Sequence, residues 1–182
     1  CTPDTTSINL TESDRQSIET RLKEMHPKEL NTMLKDTVGR ATISKVVASR
    51  LLASSLRHAS RFTEAIEQCH TTYSLAVQVR DTIEMTKALN DLATNFRRIG
   101  SLGDATEWHY RALQLSEEFS DKESYTARKN MTIAYNGIGN IDLTLKYYEE
   151  ARDYFAQALE VETSLGSHLG QAINYANIGS IY

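Results

Sequence analysis

Proline and glycine are scarce in this chain. Two prolines and eight glycines in 182 residues exclude a collagenous protein, a Gly/Pro-rich linker and a turn-dense all-β fold. Cysteine occurs twice, at Cys1 and Cys69. That is too few for a disulfide framework, and Cys69-His70 has no second Cys/His pair at zinc spacing. No metal and no cofactor are expected. Neither charge sign dominates, with 20 Lys and Arg against 24 Asp and Glu. The longest basic runs are Arg97-Arg98 and Arg128-Lys129, so a phosphate-tracking surface and direct nucleic-acid binding are not expected. Long apolar runs are missing too. Lys45 and Arg50 interrupt the stretch from Ile43 to Leu56, far short of the ~20 apolar residues of a membrane-spanning helix. What remains, 40% hydrophobic and 24% charged residues, is the composition of a folded helical protein long enough for one domain.

From Thr11 onward apolar residues recur every three or four positions. Ile18, Leu22 and Met25 form one stripe, with Ser13 and Gln16 as a candidate capping box. Pro27 suits the first turn of a short second helix carrying Leu30, Met33 and Leu34. Continuing this reading predicts helices near 13–25, 27–36, 40–59, 62–80, 82–99, 103–118, 123–145, 147–164 and 168–182.

Sliding the sequence against itself exposes a repeat. Residues 51–75, 91–115 and 137–161 align without gaps. In each, a Leu or Ile precedes a small residue (Ala53, Ala93, Gly139), and a second small residue follows twelve positions later (Ala65, Ala105, Ala151). An acid stands just before the second (Glu64, Asp104, Glu150), near the start of the second helix, where its charge favours the helix N-terminus. A fourth copy begins with Ile178-Gly179, so the small residues fall at 53, 93, 139 and 179. Small side chains at fixed points let two helices cross closely while large neighbours fill the gaps. Each unit is then a helical hairpin, and hairpins that cannot bury both faces alone must stack.

In its order of residues the pattern resembles the tetratricopeptide (TPR) repeat. Phe96, Gly100, Ala105 and Ala112-Leu113 carry the resemblance in the second unit, and Tyr135, Gly139, Tyr148, Ala151, Phe155 and Ala158-Leu159 in the third. It implies an all-α fold, a right-handed superhelical stack of TPR-like hairpins, over residues 41–182, with units near 46–80, 86–120 and 132–165 and a partial one at 172–182. Residues 11–40 would form an N-terminal helical cap and residues 1–10 a flexible tether. The spacings of 40, 46 and 40 residues exceed the family's usual period of about 34, as in the extended variants of bacterial regulators. The proline that usually closes a repeat is missing, Asp142 stands where Phe96 and Tyr182 stand, and Thr72 replaces the alanine of the other copies.

No catalytic motif emerges: there is no GxSxG, HExxH, phosphate loop or GxGxxG. His109 and Cys69 share the repeat position of Phe155 and read as core; His58, His70 and His168 have no partner at triad spacing, and Trp108 beside Tyr110 reads as packing. The chain therefore reads as a binding module and not an enzyme. The resemblance places ligands, commonly peptides or partner helices, across the concave face lined by the first helix of each hairpin. By register that face carries Arg50, Ser54, Arg57, Lys87, Asn90, Thr94, Arg97, Asn136, Asn140 and Ser180. Guanidinium and ammonium groups suit carboxylates, and amides bond both to a peptide N–H and to a peptide C=O.

Cys1 followed by a small, polar, β-branched tail resembles the start of a mature bacterial lipoprotein, which makes Cys1 a candidate lipid attachment. The bland alternative is a cut end falling on a cysteine. The expected role is thus the extracytoplasmic sensing or scaffolding part of a longer bacterial regulator or envelope lipoprotein, periplasmic or in the cell envelope, recognising a peptide or protein. The alternative is a cytoplasmic peptide receptor controlling an attached effector such as a transcriptional regulator; a helical enzyme ranks third. Tyr175, Ile178 and Tyr182 prepare an apolar face for a further helix, so the chain is expected to continue or to pair as a homodimer through that C-terminal face.

Overall fold

The computed structural model describes residues 10–35, 41–119 and 124–182. Cys1, most of the expected tether, and residues 40 and 123 at two expected helix starts lie outside them. Among the described residues the chain is all-α: α1 (Glu12–Lys23), α2 (Pro27–Lys35), α3 (Ile43–His58), α4 (Phe62–Gln78), α5 (Thr82–Arg98), α6 (Leu102–Phe119), α7 (Tyr125–Thr144), α8 (Tyr148–Ser164) and α9 (His168–Gly179). The architecture is the right-handed superhelical stack of hairpins that the repeat predicts. The pairs α3/α4, α5/α6 and α7/α8 form three hairpins, and α9 begins a fourth.

Local chemistry explains where the helices start. Asp81, Ser124 and Ser167 accept from the backbone N–H groups of Glu84, Ala127 and Gly170, closing orphan donors of the first turn. Glu64, Asp104 and Glu150 lie in the first turns of α4, α6 and α8, as their charge favours. The capping box of α1 is a correction: Ser13 already lies inside the helix. Thr11 is the cap, its Oγ1 accepting from Asp14 N at 3.1 Å while the Asp14 carboxylate accepts from Thr11 N at 3.2 Å. A Thr-x-x-Asp motif two residues earlier satisfies both donors first.

The helices end by one repeated device. After α3, α4, α5, α7 and α8 the chain places Ser60, Arg80, Gly100, Lys146 and Gly166 in the left-handed region, with φ between 56° and 84°. The next N–H reaches back five residues each time, as from Arg61 to Leu56 and from Ser101 to Phe96. This is the Schellman closure. It ends each helix sharply without a proline, which accounts for connectors of three residues in a chain so poor in proline.

Packing follows the small residues. Ala53, Ala65, Ala93, Ala105, Ala151 and Gly139 are all buried. A Cβ on Gly139 would stand 2.7 Å from the Phe155 ring, so glycine is what admits this crossing of α7 and α8. One cluster joins Leu22 and Leu30 of the cap to Val46, Val47, Ala76 and Val79. A second joins Cys69, Leu89, Leu92, Ala112, Tyr135 and Ala158 across the repeats. The first helices of successive hairpins also touch one another, α3 against α5 and α5 against α7, whereas α4 and α6 stand further apart. The stack therefore curves with α3, α5 and α7 inside.

Phe155 is fully buried, and Phe155→Ala is expected to lower stability by about 3–5 kcal/mol, read from urea unfolding. Glycine at positions 60, 80 and 146 is expected to do the opposite. Relief of the left-handed strain at Ser60, Arg80 or Lys146 should raise stability by roughly 1 kcal/mol each, read from the melting temperature.

Candidate functional site

The inner face is built from α3, α5 and α7, and its N-terminal part is occupied by α1. That helix is polar; Leu22 and Ile18 pack on the first apolar cluster, and the rest of its docking is ionic or hydrogen-bonded. Arg15 reaches Asp81 at 2.7 Å and Glu84 at 3.8 Å. One turn on, Glu19 meets Arg50 at 2.9 Å and Lys87 at 3.7 Å, and Arg21 donates to Ser44 Oγ at 3.3 Å. At the other end of α1, Glu12 accepts from Ser124 Oγ at 2.6 Å and from Thr126 N at 3.0 Å, at the start of α7. One helix thus ties three successive inner helices.

Beneath α1 lies a charge network. The Arg50 Nε donates to Glu84 Oε2 at 3.0 Å, and Lys87 lies 3.3 Å from the same carboxylate. Burial alone would raise the Glu84 carboxyl, but Arg50, Lys87 and Arg15 hold it below the usual carboxylate range. Glu19 behaves alike: burial raises it, while Arg50, Lys23 and Lys87 outweigh burial and bring it to about 2. Burial works against the Arg50 charge, yet Glu84 and Glu19 hold it more firmly protonated than usual. Buried charges this close are tolerable only when paired. Lower on the same face Arg57 meets Asp91 at 3.3 Å; there burial prevails and holds the Asp91 carboxyl above its usual range against the pull of Arg57 and Arg50.

The expected ligand-binding residues divide accordingly. Arg50 and Lys87 are engaged by α1 and Glu84. Asn90 corrects the expectation outright: it is 3% exposed, its Nδ2 donates to the Asn130 carbonyl at 3.0 Å, and its Oδ1 lies 2.9 Å from His109 Nδ1. A short amide on this helix bonds its neighbours before it reaches solvent. Ser54 lies beside the Arg57 guanidinium at 3.4 Å. Thr94, Arg97, Asn136 and Asn140 remain half-buried on the open part of the face; Asn136 accepts from Asn177 Nδ2 at 3.4 Å, and Thr94 donates back to the Asn90 carbonyl. Ser180, exposed beyond α9, donates to the Asn177 carbonyl.

His109 and Cys69 are buried as their register predicts. Burial and the nearby Arg97 charge lower the His109 pKa to about 4, and burial raises the Cys69 thiol to about 12. A neutral imidazole and a protonated thiol are structural groups here. Sequence reasoning missed one feature on the opposite side. The separation of α4 and α6 leaves a cleft of about 370 Å³ lined by His70, Tyr73, Leu89, Trp108 and Arg111, with the Arg111 guanidinium 4.7 Å from the Trp108 ring centroid. Adjacent Trp108 and Tyr110 signalled packing, and only the splay of the helices turns Trp108 toward a cleft. At the C-terminal end α9 exposes Leu169, Ile173 and Tyr175. Among the described residues no cluster of three or more His, Cys, Asp or Glu has metal-binding geometry, and no helix is long and apolar enough to cross a membrane.

The tetratricopeptide repeat profile matches residues 133–168, from within α7 through α8 to the first residue of α9. Among solved structures, the chain is similar to BtubC (BKLC) from P. vanneervenii, with a TM-score of 0.70 at 22% identity, covering 92% of this chain and 65% of that one. It is also similar to the apo form of RapI, at a TM-score of 0.64 and 16% identity, covering 94% and 44%. A third is a kinesin-light-chain-type protein of Podosopora anserina with nearly identical TPR-like repeats, at 0.63 and 12%, covering 93% and 84%. The chain thus spans less than two thirds of BtubC and under half of RapI, and at these identities the likeness is one of fold. No curated protein matches the sequence.

The ion pairs give α1 a pH signature. With Glu19 at about 2 against an ordinary 4.5, its contribution to docking is complete above the ordinary value and is lost as pH falls toward the lowered one. Amide exchange in α1, corrected for intrinsic rates, is expected to speed up across that interval relative to α5. Glu19→Gln should flatten the dependence.

Proposed function

We propose that this chain, a stack of tetratricopeptide-type repeats, is a non-catalytic interaction module that holds a peptide or partner helix across the inner face of its repeats. The observation that carries the reading is the open stretch of that face beyond α1. There Thr94 and Arg97 of α5 and Asn136 and Asn140 of α7 are half-buried, which puts a guanidinium and side-chain amides on the same face of the stack. Such groups match the alternating donors and acceptors of an extended peptide backbone. The rigid helices beneath them hold those groups in place before a ligand arrives, which lowers the entropy lost on binding.

The finer reading is part of the same proposal: an extracytoplasmic sensing or scaffolding part of a bacterial regulator or lipoprotein, with Cys1 as the lipid-bearing residue. Metabolic labelling of the whole gene product with a lipid analogue, abolished by Cys1→Ala, is the expected result. An unlabelled product retained in the cytoplasm would favour a peptide receptor that controls an attached effector.

Panning a displayed peptide library against the immobilised chain tests the binding reading. Selected peptides should cross-link to α5 and α7, and Thr94→Trp or Asn140→Trp, which add bulk to that face without altering charge, should weaken capture at least about tenfold with helicity unchanged. Undiminished capture by both variants removes the inner face as the site.

A further inference from the structure

Two successive interfaces in the stack use the same positions differently. At the first, Arg57 of α3 lies 3.3 Å from Asp91 of α5. The repeat places Arg57 four residues after Ala53 and Asp91 two before Ala93. The equivalent pair at the next interface is Arg97, four after Ala93, and Gly137, two before Gly139. The guanidinium is kept and its carboxylate is gone.

The reason lies behind the helix. Cys69 of α4 packs against this stretch of α5, its Sγ 3.7 Å from the Nδ2 of Asn95 one turn beyond Asp91, and a thiol leaves room for a side chain there. The equivalent residue of α6 is His109, whose ring fills that space: a Cβ on Gly137 would stand 2.1 Å from His109 Nε2. Only glycine is compatible with the imidazole, so position 137 supplies no acid. Arg97 is half-buried and has no carboxylate partner among the described residues. Burial and neighbouring Arg98 both weigh against its charge, and buried His109 is neutral near pH 7 because its pKa is lowered to about 4.

From this register we infer that Arg97 is the receptor for a carboxylate borne by the bound partner, an acidic peptide whose Asp or Glu takes the role that Asp91 plays for Arg57. A half-buried guanidinium favours a bidentate carboxylate over a hydrated counterion. The amides of Asn136 and Asn140 flank Gly137 on α7 and are placed for the backbone on either side of the acid. The inference rests on the peptide-binding reading above and adds to it the charge of the ligand and the residue that reads it.

The test follows the Nε–Hε signals of Arg57 and Arg97 in the isotope-labelled full chain. The probes are an acetylated, amidated Glu–Ala peptide and its Gln–Ala counterpart. Arg97 is expected to shift saturably with the Glu peptide, with affinity about tenfold above that for the Gln peptide, while Arg57 stays still. Arg97→Gln should abolish the difference between the peptides. Asp91→Asn, which frees Arg57, should make Arg57 respond as Arg97 does. An Arg97 signal that ignores the Glu peptide, or follows both peptides equally, overturns the assignment. In that case library peptides still blocked by Asn140→Trp would leave the binding face standing, and their failure as well would remove both readings.

Discussion

Two helices can cross closely only where neither puts bulk between them, and every interface of this stack obeys that constraint. Alanine or glycine recurs at the crossing points because a larger residue would hold the axes apart. The matching large residue is then fixed: Phe155 fills the space that Gly139 leaves, His109 that of Gly137, and Glu162 that of Gly170, where a Cβ would stand 2.0 Å from Glu162 Oε2. The last pairing is polar, and it holds because Lys129 at 2.5 Å and Thr132 at 2.9 Å satisfy the buried carboxylate. Steric register at the crossings thus also decides which polar groups can stand on the inner face.

Charge is distributed unevenly along that face. Near α1 it is dense and mutually neutralised, with Glu19 and Glu84 between Arg15, Arg50 and Lys87. Further along the stack the equivalents of these residues become amides: Arg50 with Glu84 gives way to Asn90 with Asn130, each of which donates its side-chain amide to a main-chain carbonyl, Asn90 to that of Asn130 and Asn130 to that of Ile83. A neutral amide bonded to a carbonyl loses less on burial than an ion pair does. The face therefore changes from a buried ionic lock at one end to buried amide hydrogen bonds further on, with half-buried Asn136 and Asn140 beyond them.

The helices, their hairpin pairing and the inside–outside assignment of most residues were legible in the sequence, because period and small-residue register are properties of the chain alone. His109 and Cys69 could be placed in the core simply by aligning them with Phe155. The ion network was not legible. Arg50 and Glu84 are 34 residues apart, and nothing in the linear order shows that α1 brings Glu19 between them. Asn90 was misplaced for a related reason: polarity and helical phase put it on the exposed stripe, but its reach to the Asn130 carbonyl depends on how α5 sits on α7. The outer cleft beside Trp108 escaped notice because it arises from a gap between two helices, which no residue encodes singly.

The α1 tie has a mechanical side. A solenoid changes its curvature by small rotations summed over its repeats. A strut fastened to α3, α5 and α7 at once lets none of those rotations proceed without breaking an ion pair or a hydrogen bond. The stack from α3 to the start of α7 is therefore a braced arch, and bending is left to the span beyond it.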